Sequence, residues 1–284
     1  MATSVSTLGV GRIHSAVRPL AVAVSLAVAV ATALAAGRAW LDARAEEAAS
    51  RAEVDASLLG RGVAWVWPAS NGPASEGARG YREAAVLVET LVIRGDGVER
   101  MPRTHPLVLP VGVRLLPVLH VEAAQDAPDT LSPAQVESIV AAFRRHADEA
   151  ADGAGAVQLD FEAPRRERAS YGLLVARVRA ALPARVKLSV TALAHWCAEP
   201  DWLDRLPVDE VVPMLYRLGP HAAQWRARWL HDDPTLAARC RGPALGFATD
   251  DPPPAALLRR TRRPYWFDES IWSNPSHPSL RLDS

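Results

Sequence analysis

Residues 156–163 read Ala-Val-Gln-Leu-Asp-Phe-Glu-Ala. Apolar and polar side chains alternate with the period of two that a strand requires. Val157, Leu159 and Phe161 then share one face, and Gln158, Asp160 and Glu162 share the other. If the apolar face meets helices, the polar row points into the interior of the sheet or barrel. Burying unpaired charge is costly, so a Gln and two carboxylates in that row need a reason. One reason is an internal ion pair with an arginine such as Arg217. The other is chemistry: partial burial raises a carboxyl pKa, and such a group can act as a general acid near neutral pH. Glu162 ends the row, at the C-terminal end of its strand, where barrel enzymes carry their catalytic residues.

Elements able to position such a row recur along the chain. Apolar, strand-like runs fall at Gly62–Trp67, Ala84–Ile93, Val113–Val121, Ala156–Phe161, Lys187–Leu193, Val208–Tyr216, Ala244–Ala248 and Tyr265–Phe267. The second ends at Arg94-Gly95-Asp96-Gly97, a turn signal. Helical patterns lie between several of them. One starts at Ser132, a capping residue, with Pro133 in the first helical position, and continues to about Ala150. Another runs from about Arg166 to Leu182, with Tyr171, Leu174, Val175 and Val178 on one face, and Pro183 stops it. Shorter helical pieces cover Asp201–Leu206 and Gln224–Leu230. Eight strands interleaved with helices predict a parallel sheet closed as a (β/α)8 barrel of the TIM type over residues 60–284. A doubly wound open sheet is the alternative. No GxGxxG or P-loop follows any strand, so no nucleotide cofactor is expected.

Charge and composition narrow the partners. Lys plus Arg and Asp plus Glu are 32 each, so no net field favours nucleic acid. Nine Trp against four Phe and four Tyr supply flat indole faces that suit sugar rings, cores or interfaces. Cys197 and Cys240 could pair in an oxidising compartment, but two buried free thiols is the plainer expectation. At the N-terminus, Arg12, His14 and Arg18 precede an uncharged apolar run, Leu20–Ala36, with Ala33-Leu34-Ala35 as a cleavage-site pattern. Residues 1–37 are thus expected to be a signal peptide or signal anchor, and 38–59 a linker or helical stalk. The rest is expected to be exported to a periplasmic or other extracytoplasmic space, and tethered to a membrane through residues 20–36 if uncleaved.

Gln158–Glu162 resembles the fourth-strand signature of the family 18 chitinases, an Asp-x-Asp-x-Glu that ends in Asp-aromatic-Glu. Met214-Leu215-Tyr216-Arg217 resembles their sixth-strand Met-x-Tyr-Asp, and Trp266 resembles a Trp near the end of their last strand. Over Val157–Gly219 the chain is similar to an uncharacterised bacterial family, domain-of-unknown-function family 3142, through VQLDFEA, LSVTALAHWC and LPVDEVVPMLYRLG. The chitinase resemblance implies that Glu162 protonates the leaving glycosidic oxygen while the substrate's own N-acetyl group replaces an enzyme nucleophile. It further implies that Asp160 orients that amide and Tyr216 hydrogen-bonds it. Two positions depart from the pattern. Gln158 stands in place of the first Asp, and Arg217 in place of the Asp after Tyr. A cation at Arg217 would be expected to lower the pKa of Glu162.

Other carboxylates at strand ends are Glu122 (beside His120), Asp250, Asp251, Asp268 and Glu269. Each is a candidate second acid or a solvated loop charge. Trp65 and Trp67, Trp196 and Trp266 could form sugar platforms, and Gln158 and Arg217 could touch substrate. The histidines and acids near 221–233 lack metal-ligand spacing, and no GxSxG elbow is present. Two readings follow. In one, a glycoside-hydrolase-like barrel acts on an envelope or extracellular glycan. In the other, a catalytically inactive barrel binds carbohydrate or serves envelope assembly. A membrane-anchored scaffold with internal ion pairs is a third, plainer outcome.

Overall fold

The computed structural model describes residues 30–48, 61–67, 78, 80–104, 106–163 and 167–267. The chain divides into two units, Met1–Ala49 and Ser50–Ser284. In the first, residues 30–48 form a helix whose side chains are exposed throughout. No described helix is long and apolar enough to cross a membrane. Residues 20–29 of the expected anchor, and the expected linker beyond residue 48, lie outside the described residues.

The second unit is a closed barrel. Its strands are β1 (Val63–Val66), β2 (Glu83–Arg94), β3 (Gly97–Pro102), β4 (Arg114–Ala123), β5 (Ala156–Asp160), β6 (Lys187–Leu193), β7 (Glu210–Met214), β8 (Ala244–Ala248) and β9 (Arg263–Phe267). The order is β1-β9-β8-β7-β6-β5-β4-β2-β3, and β1 also pairs with β2. Every pairing is parallel except β2 with β3. Eight parallel strands therefore close on themselves as a TIM barrel, and the open-sheet alternative is excluded. All eight strand-like runs of the sequence became barrel strands.

The ninth strand, β3, has no counterpart in the sequence pattern. It is exposed along nearly its whole length and so carries no alternation of apolar and polar residues. It forms because Gly95 adopts φ +48 in the turn after Arg94, folding the chain back along β2. After β2 there is thus an antiparallel strand and a loop in place of a helix. Leu107 and Leu109 of that loop pack on Ala64, Val66, Ala84 and Val86.

Helices cover the other strands: α1 (Pro133–Arg145), α2 (Ala147–Asp152), α3 (Arg168–Ala181), α4 (Pro200–Leu203), α5 (Ala222–Leu230) and α6 (Ala255–Arg260). Ser132 caps α1 as its sequence position predicts. Its hydroxyl accepts from the Gln135 amide at 3.2 Å, and the Ser132 amide donates to Gln135 Oε1 at 2.8 Å. The helix expected to reach Ala150 is broken at His146, which separates α1 from α2. Gly153 then lets the chain return to β5. A Cβ there would lie 2.2 Å from the Leu115 carbonyl oxygen, so only glycine fits.

Two apolar layers result. The outer one, between strands and helices, holds Val157, Leu159 and Phe161 with Leu188, Val190 and Phe247. The inner one holds Val63, Trp65, Ala85, Val118, Val212, Met214, Tyr265 and Phe267. The alternation read in residues 156–160 is thus the in–out alternation of the barrel wall, and the strand ends at Asp160, before Glu162.

Candidate functional site

Parallel pairing sets residues of neighbouring strands side by side. His120 of β4 pairs with Asp160 of β5, and Leu159 with Val190 of β6. His120, Asp160 and Thr191 consequently lie level on three adjacent strands and point inward together. The Asp160 carboxylate is fixed from both sides. His120 Nδ1 lies 2.9 Å from Oδ2, and the Thr191 hydroxyl donates to Oδ1 at 2.6 Å. The other imidazole nitrogen, Nε2, lies 3.1 Å from Glu122 Oε1. The sequence suggests a β4 that stops at Val121. The strand instead runs on to Ala123, which puts Glu122 on the inward face with His120.

One rung below, Gln158 is fully buried, and its amide nitrogen donates to Ser189 Oγ at 3.0 Å. Ser189 in turn donates to Glu210 Oε1 at 2.9 Å, as does the Tyr265 hydroxyl at 2.6 Å. Arg263 pairs with Glu210 and Glu83, and Arg114 pairs with Glu83. Gln158 therefore belongs to the polar packing inside the barrel and does not line the cavity above it.

Above that rung, at the C-terminal ends of the strands, opens a cavity of about 450 Å³. Asp160, Glu162, Tyr216, Arg217 and Trp65 all line it, together with Trp67, His120, His195, Trp225 and Phe267. Its aromatic wall is ordered. Tyr216 stacks on Phe267 with centroids 5.5 Å apart and planes 8° apart. Trp65 meets Phe267 edge-on at 6.3 Å, and Trp67 meets the His120 ring edge-on at 4.7 Å. A second cavity, of about 560 Å³, lies against the same wall. His120 and Glu162 are common to both, with Glu122, Gln125 and Glu167 on its far side.

Trp196 and Trp266 do not reach the cavity. Both are almost fully buried in the outer layer, at 2% and 1% exposure. Trp196 packs edge-on against Tyr171 and Trp202, and Trp266 packs against Phe247. Trp266 alternates with Phe267 along β9, so the strand that turns Phe267 inward turns the Trp266 indole outward. Trp196 lies in the 3-10 turn Ala194–Ala198, which directs its indole into the outer layer. Neither can offer an indole face to a ligand in this pocket.

Electrostatics at the rung differ from the sequence expectation. The Glu162 pKa is raised, first by partial desolvation against the cavity wall, although the residue keeps an exposed surface, and then by the Asp160 charge, with His120 pulling the other way. Arg217 does not lower it. Arg217 adopts a left-handed φ of 52, its amide donates to Asp251 Oδ2 at 3.0 Å, and its guanidinium lies over the Phe267 ring. That Asp251 carboxylate also pairs with Arg226 at 2.8 Å, so Asp251 holds the loop after β7. For His120, burial favours the neutral ring, but the hydrogen bonds and charges of Asp160 and Glu122 outweigh it and raise the pKa to about 9. Burial, reinforced by Asp160 and Glu162, keeps the Tyr216 phenol neutral.

His195 and Trp225 line the cavity without having been singled out in the sequence, and His120 was noted there only as the neighbour of Glu122. The signal was the His-x-Glu spacing at 120–122, which places both side chains on one face if the strand continues. Cys197 and Cys240 form a disulfide, contrary to the free thiols expected from the sequence. It joins the 3-10 turn Ala194–Ala198, which carries His195, to the turn Ala238–Arg241 before β8. Among the described residues no cluster of three or more His, Cys, Asp or Glu could hold a metal ion. Asp268 and Glu269 lie outside the described residues.

No family model and no curated protein matches the chain. Solved structures with a similar fold include the spore cortex-lytic enzyme SleL of Bacillus cereus, at TM-score 0.44 and 14% identity over 66% of this chain. The chain spans 50% of that enzyme's length. A protein described as chitinase A from Streptomyces coelicolor matches at TM-score 0.46 and 10% identity, over 74% of this chain and 92% of that one. The catalytic domain of a family GH18 chitinase from the fern Peteris ryukyuensis matches at TM-score 0.44 and 12% identity, over 75% and 94%.

Proposed function

We propose that this barrel is glycoside-hydrolase-like and binds a carbohydrate at the C-terminal ends of its strands, with Glu162 as general acid. The observation that carries the reading is the convergence of Asp160, Glu162 and Tyr216 on one aromatic-walled cavity. A sugar ring has apolar faces and a polar rim. Indole and phenol faces suit the first, and a carboxylate that accepts hydrogen bonds suits the second. A carboxyl whose pKa is raised keeps its proton for a leaving oxygen. Asp160, held by two donors, would accept from a substrate amide. That role, and a hydrogen bond from Tyr216, come from the resemblance of residues 158–162 and 214–217 to the family 18 chitinases. The resemblance to domain-of-unknown-function family 3142 brings no activity with it.

An exported location fits this reading. It is supported by the Cys197–Cys240 disulfide, which persists in oxidising compartments, and by the basic-then-apolar N-terminal sequence. The glycan would then be an envelope or extracellular one.

The test is N-acetylglucosamine oligosaccharide binding by calorimetry, paired with product release by chromatography, for the natural chain and Glu162→Gln. Turnover that is lost in the variant while binding persists supports the general acid. An unchanged rate would falsify it. The second reading, an inactive carbohydrate-binding or envelope-assembly barrel, is favoured by one observation: Gln158 is bound to Ser189 and leaves Asp160 without a second carboxyl to share a proton. It predicts equal affinity in both proteins and no turnover in either.

A further inference from the structure

Both ring nitrogens of His120 face carboxylate oxygens, Nδ1 toward Asp160 at 2.9 Å and Nε2 toward Glu122 at 3.1 Å. A neutral imidazole carries one N–H only. Its bare nitrogen would then point a lone pair at a carboxylate lone pair across a hydrogen-bond distance. The arrangement is attractive on both sides only if the ring carries two protons. The ring is also boxed in, 15% exposed, with the Trp67 indole edge-on to it at 4.7 Å. We propose that His120 is a positioning residue of this pocket, an imidazolium clamped between Asp160 and Glu122 that orients the Asp160 carboxyl group toward the ligand and sets the charge beside Glu162.

The consequence for Asp160 is geometric. With the His120 ring on Oδ2 and the Thr191 hydroxyl on Oδ1, each oxygen already accepts one strong hydrogen bond. The two donors fix the orientation of the carboxyl group, and each oxygen keeps a second lone pair that can accept from a ligand. The chain has no carboxylate at residue 158, and His120 on the neighbouring strand stands beside Asp160 instead. Glu162 thus faces one anion, Asp160, and one cation, His120, whose influences on its proton oppose each other. Tyr216 and Arg217, from the loop after β7, and His195, after β6, also line the cavity, and the Asp250 charge acts on Tyr216. His120 and Glu162 also form the wall shared by the two cavities, so the clamp stands where a ligand longer than one ring would cross from one to the other.

The ligand-facing part of this inference rests on the carbohydrate reading of the pocket, but the charge state does not. NMR titration of the histidine-labelled full chain reads it without any substrate. His120 is expected to titrate at about 9. In Glu122→Gln, a change at an exposed side chain, the midpoint should fall by roughly one pH unit. In His120→Gln the Glu162 carboxyl, followed by its carbon-13 shift and assigned with Glu162→Gln, should titrate higher than in the natural chain. In Asp160→Asn it should titrate lower. A His120 midpoint near the ordinary value of about 6.5, or one unmoved by Glu122→Gln, overturns the clamp even if His120→Gln does not fold. A Glu162 midpoint unchanged in a folded His120→Gln reduces His120 to packing. Absence of glycan turnover together with the expected shifts would sink the hydrolase reading and leave the clamp standing.

Discussion

His120 and Asp160 pair across β4 and β5, and the imidazole Nδ1 stands 2.9 Å from Asp160 Oδ2. Parallel registration alone produces this contact. The two residues are 40 positions apart in the chain, and each is an inward residue of its own strand. What makes the contact chemical is its surroundings. Thr191 donates to the other Asp160 oxygen, and Asp160 itself lines the cavity.

Removing the Thr191 hydroxyl should expose that dependence. Thr191→Val keeps the shape of the side chain but leaves a buried Asp160 oxygen without its 2.6 Å donor. The expected cost is about 1–3 kcal/mol of folding stability by urea denaturation, with weakened oligosaccharide affinity. A variant as stable as the natural chain would mean that Asp160 finds another donor.

If Glu162 acts as an acid, its protonated form is the active one. Partial desolvation and Asp160 raise its pKa above the usual carboxylate value, so activity should persist above pH 4.5 and decline as pH rises through the raised pKa. The pH profile of kcat/KM measures this limb, and Asp160→Asn should move it to lower pH. A limb that stays in place would remove Asp160 from the control of Glu162.

Glu89 gives a stability prediction at the acid end. Its carboxylate is 1% exposed, bonded to Arg100 at 2.5 Å and close to Arg145 and His146. Burial alone would raise its pKa, but those three partners outweigh burial and lower it. A lowered folded-state pKa contributes stability that is present above the unfolded value and lost as pH falls through the folded one. Glu89→Gln should cost roughly 1.5–3 kcal/mol at pH 7. Thermal melts of the two proteins should converge as pH falls below about 4.

Trp67 and Trp196 separate the site from the core. Trp196→Ala should destabilise by roughly 3–5 kcal/mol, because it empties a packed position in the outer layer. Trp67→Ala should change stability far less and weaken oligosaccharide binding, since Trp67 lines the cavity and is only partly buried. Calorimetry with N-acetylglucosamine oligomers, beside denaturant melts, distinguishes the two. The reverse pattern would mean that the pocket is not the sugar site.

The disulfide closes a separation of 43 residues. Its reduction should lower stability by roughly 2–4 kcal/mol. Because it anchors the turn that carries Ala194 and His195, reduction should also weaken oligosaccharide binding. The oxidised chain should show no free thiol, since Cys197 and Cys240 are its two cysteines. A thiol assay and melts with and without reductant check both points.

Much of the barrel was legible because alternation and helical period are local properties. The run at 156–163, Ser132 with Pro133, and the Gly95-Asp96 turn each specify their element within a few residues. The exposed strand β3 was not legible, because no buried face imposed a pattern on it. Trp196 and Trp266 were misplaced for a different reason. Nearness to a strand end is a sequence property, but the face on which a residue emerges depends on where the strand stops and the turn begins.

The sequence by itself determined that Gln158 and Asp160 share the inward face of a strand, because period-two alternation is built into the extended backbone; β5 ends at Asp160, and Glu162 follows it in the loop that borders the cavity. Tertiary structure decided what those carboxylates meet. Registration brought His120 and Thr191 to Asp160, and the left-handed turn at Arg217 sent the expected cation to Phe267 instead. Such contacts join residues tens of positions apart, and the charge state of a buried group follows from its neighbours in space rather than in the chain.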